Sequence, residues 1–111
     1  MFSIFTRGPK KYTDVDVAEF AQLKDQQDHV VIDVRSPGEL AEGSIPGHQM
    51  INFFDNTFKD KLSKLDKAKT YLVYCRSGNR SGQACTVMAN MGFEKLYNLQ
   101  GGIMAWNRTQ G

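Results

Sequence analysis

Residues 71–84 read YLVYCRSGNRSGQA, from Tyr71 to Ala84. The segment begins inside an apolar run, Thr70 to Tyr74, of the kind that forms a strand buried on both faces. It changes character at Cys75, after which small, polar and basic residues follow. Apolar residues then return at helical spacing: Ala84, Cys85, Val87, Met88 and Met91 share one face, and Gly92 stands at the favoured C-terminal position. Strand, tight loop and helix in this order put Cys75 at the carboxyl end of a central strand. Open α/β sheets bind their ligands there.

Working outward, the alternation repeats. Thr13 or Asp14 is expected to cap a helix reaching Gln26, with Val17, Phe20 and Ala21 along one side. His29 to Val34, HVVIDV, reads as a second buried strand, and Pro37 opens a helical turn through Glu42. Gly43 to Gly47 is a loop, and Met50 to Asn52 a brief strand. Phe58, Leu62 and Leu65 mark an amphipathic helix. Leu96 to Leu99 is a last strand, and Gly101-Gly102 turns into a closing helix, Ile103 to Arg108. Strands and helices of this length predict an α/β fold with a parallel sheet flanked by helices on both faces. Residues 1–10 are expected to form a flexible N-terminal arm and residues 11–111 one domain.

Composition agrees with that reading. The 111 residues suit one domain with one real core, at 41% hydrophobic and 23% charged. A formal net charge of +2 gives no reason to expect nucleic acid or a membrane as partner. The N-terminal MFSIFTRGPKKY lacks the apolar length of a secretory signal or membrane span. Two cysteines, Cys75 and Cys85, are too few for a disulfide scaffold and fit a reducing, cytoplasmic setting.

The loop itself, Cys75-Arg76-Ser77-Gly78-Asn79-Arg80-Ser81, carries the chemistry. Gly78 and Asn79 tolerate positive φ, so the backbone can curl and turn consecutive N–H groups toward one point. The following helix adds its positive end, and Arg76 and Arg80 add full charges. Each feature favours a thiolate, the nucleophilic form. An inert structural thiol needs none of these neighbours. Cys85 is the opposite case, a core residue on the apolar face of the helix, with a second redox role as the alternative. A cysteine phosphatase needs five residues between Cys and Arg to encircle a phosphate. Here that arginine would stand at position 81, which is Ser81, and Arg80 comes one residue early. The loop is sized for a single sulfur atom.

Three stretches together resemble the single-domain rhodaneses, a family of sulfurtransferases. VIDVRSPGELAEGSIPG, YCRSGNRS and LQGGIMAW stand in the family's order, and the resemblance covers Tyr12 to Arg108. It implies a central parallel five-stranded sheet. It also implies that Cys75 takes the outer sulfur of thiosulfate or a persulfide and passes it, through a Cys75 persulfide, to a thiol acceptor, or to cyanide in vitro. The acceptor thiol can be borne by a protein. The substrate-binding loop would be Arg76, Ser77, Gly78, Asn79 and Arg80, supported by Asp33, Arg35 and Ser81. No metal or organic cofactor is implied. Ser44 stands where the family usually has His, and His48 follows the turn as a surface histidine or a proton donor. Asp33 and Arg35 are expected to form an ion-pair network with Glu39, and Trp106 to pack. The competing readings are a phosphatase-like or arsenate-reducing thiol enzyme and a non-catalytic binding module of the same fold.

Overall fold

The structure, a computed structural model, describes residues 10–110. The expected flexible arm falls almost wholly on residues 1–9, outside the described residues. Five parallel strands form one sheet: β1 (Thr13–Val15), β2 (His29–Asp33), β3 (Gln49–Met50), β4 (Thr70–Tyr74) and β5 (Leu96–Leu99), in the order β1-β5-β4-β2-β3. Four α-helices cover it: α1 (Val17–Leu23), α2 (Phe58–Ser63), α3 (Asn79–Asn90) and α4 (Gly102–Thr109). A 3-10 turn, Pro37–Glu42, matches the turn expected after Pro37.

β4 lies at the centre, and every one of its residues is buried. Its side chains alternate between two cores, which is what an unbroken apolar run achieves in a sheet covered on both faces. Tyr71, Val73 and Cys75 join Phe58 and Leu62 of α2 and Ala84, Cys85 and Met88 of α3. Leu72 and Tyr74 join Phe20 of α1 and Ile103 and Trp106 of α4 on the other face. Edge-to-face contacts, Phe20 with Tyr74 and with Trp106, tie that second core together. Trp106 packs as expected.

Four element boundaries differ from the sequence reading. Thr13 and Asp14 do not cap a helix. They form β1, which pairs through Thr13↔Tyr97, Asp14↔Asn98 and Val15↔Leu99, and the cap is Asp16, whose carboxylate accepts from the Glu19 amide at 2.9 Å. A three-residue edge strand is too short to show an apolar period, whereas the cap residue two positions later has its own clear signal. The helix also stops at Leu23 rather than Gln26. The third strand lies at Gln49–Met50, although the Ile51 and Phe53 amides continue to bond the Asp33 and Val34 carbonyls. Leu65 lies past the end of α2 yet packs on the core.

Candidate functional site

Cys75 follows the last residue of β4, and Gly78 caps α3 with φ +102°. A Cβ on Gly78 would stand 3.2 Å from the Leu99 carbonyl and 3.3 Å from the Gly101 nitrogen, so only glycine suits this turn. The curl turns donors onto the sulfur. The Gly78 N–H lies 3.1 Å from Cys75 Sγ, the Ser81 N–H 3.4 Å and the Ser81 hydroxyl 3.3 Å. Cys75 is only 1% exposed. Burial pushes its thiol up. The Ser81 hydroxyl and the Ser81, Gly78 and Ser77 amides outweigh burial and hold it below the ordinary thiol value. Of the sources expected from the sequence, the curled amides, the helix start and the arginines, the hydrogen-bonding groups of the loop carry the lowering. Arg80 interacts with the thiolate at longer range, and that charge helps keep Arg80 protonated.

Both arginines have carboxylate partners. Arg80 makes a two-point pair with Glu39, at 2.9 and 2.7 Å. Glu39 Oε2 also accepts from the Ser36 amide and hydroxyl at 2.9 Å each, fixing the carboxylate. Chiefly through Arg80, with burial opposing, Glu39 is held at about 2 against an ordinary 4.5. Arg76 lies 3.3 and 3.4 Å from Glu42 at the surface. The expected network of Asp33, Arg35 and Glu39 is therefore only half right. Arg35 and Asp33 pair at 2.7 Å with neither side chain exposed, and Arg35 reaches Glu39 only through its backbone carbonyl. Arg35 also donates to the Gly43 carbonyl at 2.8 Å, so the buried pair clamps the Pro37–Glu42 segment beside the loop. The carboxylate of Glu39 is left free for Arg80 because Asp33, two residues from Arg35 on the same strand end, already satisfies that guanidinium.

Asn98 and Gly102 complete the site, and the sequence reading gave neither a role in it beyond a tight turn. Asn98, on β5, donates to Asp14 at 2.9 Å and to the Gly78 carbonyl at 3.2 Å. That fixes its amide oxygen toward the Ser81 hydroxyl, 2.5 Å away. Ser81 has one hydroxyl proton and two acceptors, Asn98 Oδ1 and Cys75 Sγ. Gly102 allows α4 to start against the loop. A Cβ there would lie 2.3 Å from the Arg76 carbonyl oxygen. The Ile103 and Met104 amides instead bond the Cys75 and Arg76 carbonyls at 2.9 and 3.2 Å, which leaves the loop amides free to face the sulfur. Position 102 was visible as half of a Gly-Gly pair. Asn98 had no local signal.

Ser77 and Asn79 are exposed on the loop's outer side, where the Asn79 side chain accepts from Gln83 at 2.9 Å. His48 is tied to the Ile45 carbonyl at 3.0 Å in the Ile45–His48 turn. Cys85 is fully buried in the core as expected, and burial drives its thiol far up. Both cysteines are free. The described residues contain no helix long and apolar enough to cross a membrane.

A family profile described as "Rhodanese-like domain" matches residues 16–109. A protein named sulfurtransferase from Allochromatium vinosum is 35% identical over 96 residues, 86% of this chain and 88% of that one. A protein named thiosulfate sulfurtransferase GlpE from Stutzerimonas stutzeri is 27% identical over 100 residues, 84% of this chain and 90% of that one. Among solved structures, a rhodanese-related protein from Thermoplasma volcanium superposes with TM-score 0.77 at 29% identity, covering 89% of this chain and 94% of that one.

Proposed function

This chain belongs to the rhodanese-like domain family, and on that footing we propose that it is a sulfurtransferase whose nucleophile is Cys75. The observation that carries the reading is the ring of donors on Cys75 Sγ: two amides and one hydroxyl within 3.4 Å of a sulfur with no carboxylate against it. Such a ring stabilises a sulfur-borne negative charge in a water-poor site, as preorganised donors stabilise an oxyanion.

With thiosulfate as donor, the Cys75 thiolate attacks the outer sulfur. A new S–S bond forms, the bond to the sulfonate sulfur breaks, and sulfite leaves with the electron pair. The charge moves to the outer sulfur of the Cys75 persulfide, beside the loop amides. An acceptor thiolate then attacks that outer sulfur, carries it away as its own persulfide and restores the Cys75 thiolate. The two free cysteines suit a reducing, cytoplasmic setting.

Intact mass tests the proposal. Incubation with a sulfur donor adds the mass of one sulfur atom, and an added thiol removes it. The gain is absent in Cys75→Ser. A folded protein that gains no sulfur from either thiosulfate or a persulfide would defeat the reading and favour a binding role.

A further inference from the structure

We propose that the site selects carbon-bound persulfides over thiosulfate, with Glu39 and Glu42 as the specificity-determining residues. The inference rests on the sulfurtransferase reading and narrows its donor.

The three arginines around the loop are matched one for one by carboxylates. Arg35 pairs with Asp33, Arg76 with Glu42 and Arg80 with Glu39. The charge surrounding the donor's path therefore cancels before the thiolate is counted, and with the thiolate the site is a net anion. Asp14, linked to the sulfur through Asn98 and Ser81, is itself matched by Lys10. Among the described residues, no cation at the loop stands uncompensated for a second negative charge on the donor.

The reacting charges differ sharply between donors. Thiosulfate brings two negative charges to a thiolate, so three must be held as the bond forms. A protonated persulfide, R–S–SH, brings none. The Cys75 thiolate attacks its outer sulfur, the S–S bond breaks, and R–S⁻ leaves, so the charge stays at one. Amides supply partial charges only, and Arg80 meets a dianion only by leaving a carboxylate that Ser36 also holds.

The rim suits the carbon-bearing tail. Phe54 is 69% exposed, with the Arg80 guanidinium 5.6 Å from its ring centre. A sulfonate gains nothing from the Phe54 ring itself, whereas the methylenes of a persulfide do. With Cys75 1% exposed, a slender terminal sulfur enters and the tail remains on the rim.

The test compares kcat/KM for thiosulfate with that for two probes. One is the persulfide of N-acetylcysteamine, whose tail is uncharged. The other is a persulfidated cysteine in a short neutral peptide, which separates a polypeptide source from a small thiol. At low salt at least one persulfide exceeds thiosulfate by about tenfold or more. Raising salt from about 0.02 M to about 0.3 M increases the thiosulfate value by roughly twofold or more, because screening weakens repulsion between like charges. Glu42→Gln removes one carboxylate from an exposed pair and raises the thiosulfate value by about three- to tenfold, lowering the persulfide preference by the same factor. Thiosulfate preferred over both persulfides, or a thiosulfate rate that falls with salt, overturns the selectivity while sulfur loading still upholds the transferase reading. No loading from any donor overturns both.

Discussion

The two cysteines stand ten positions apart, in the same core cluster, and are equally buried, at 1% for Cys75 and 0% for Cys85. Their acidities move in opposite directions. Around Cys85 burial acts first, the charges of Asp14 and Cys75 push the same way, and among the described residues no N–H or O–H donor lies on the sulfur, so the thiol is held protonated. Around Cys75 the same burial is overcome by donors on the sulfur. Exposure therefore does not distinguish the candidate nucleophile from a packing residue here. The direction of nearby N–H and O–H groups does.

The largest expected effect breaks the comparison outright. Cys75→Ser abolishes sulfur transfer, while Cys85→Ser keeps most of it and costs about 1–3 kcal/mol of stability where the new hydroxyl lacks a partner. Activity assays and urea unfolding measure both. Equal loss of activity in two well-folded variants would erase the distinction.

A second test moves the donors without touching the sulfur. One glycine inserted between Asn79 and Arg80 shifts the start of α3 and carries the Ser81 amide and hydroxyl away from Cys75. Losing two charge-assisted hydrogen bonds, at roughly 1.5–3 kcal/mol each, slows transfer at least about a hundredfold. Binding of phosphate or arsenate, followed by calorimetry, improves as the ring widens. A folded insertion variant with unchanged transfer would show that loop length does not set the chemistry.

A finer test concerns the shared Ser81 proton. Ser81→Ala raises the pH midpoint of Cys75 alkylation and slows sulfur loading about tenfold, the cost of roughly 1.4 kcal/mol. Asn98→Ala removes the competing acceptor, frees the hydroxyl for the thiolate and lowers the midpoint. The Asn98 effect disappears in a Ser81→Ala background. A shift of the same size there would mean that Asn98 acts through the backbone instead.

The smallest effect lies one contact further out. Glu39 is ionised down to about pH 2 in the folded chain and to about 4.5 in an ordinary carboxyl. A depressed carboxyl stabilises the fold above its unfolded value, and that contribution fades as pH falls from about 4.5 toward 2. Glu39→Gln therefore lowers stability by about 1–2 kcal/mol at neutral pH, after allowance for partial exposure, and by much less near pH 2. Equal destabilisation at both ends, measured by urea unfolding, would assign the loss to packing.

Local sequence was sufficient wherever one segment both forms and uses a feature. The apolar run of β4, the glycine at the start of α3, the apolar face of that helix and the count of residues between Cys75 and Arg80 are all written in consecutive residues. They placed the fold class correctly and put Cys75 just past the end of β4, where the loop curls onto it. The three-residue β1 escaped because its reason for being a strand is β5, more than eighty positions away.

The sequence by itself thus determined the parallel α/β scaffold, the loop and the contrast between the two cysteines, because periodicity and glycine geometry act over a few residues. Tertiary structure alone decided which charges meet. Arg80 turns to Glu39, 41 residues distant, Arg76 to Glu42, 34 residues distant, and Asn98 aligns Ser81 across 17 residues. The physical reason is that an ion pair or a shared proton depends on distances of about 3 Å between groups brought together by the sheet, and no spacing along a chain encodes those distances.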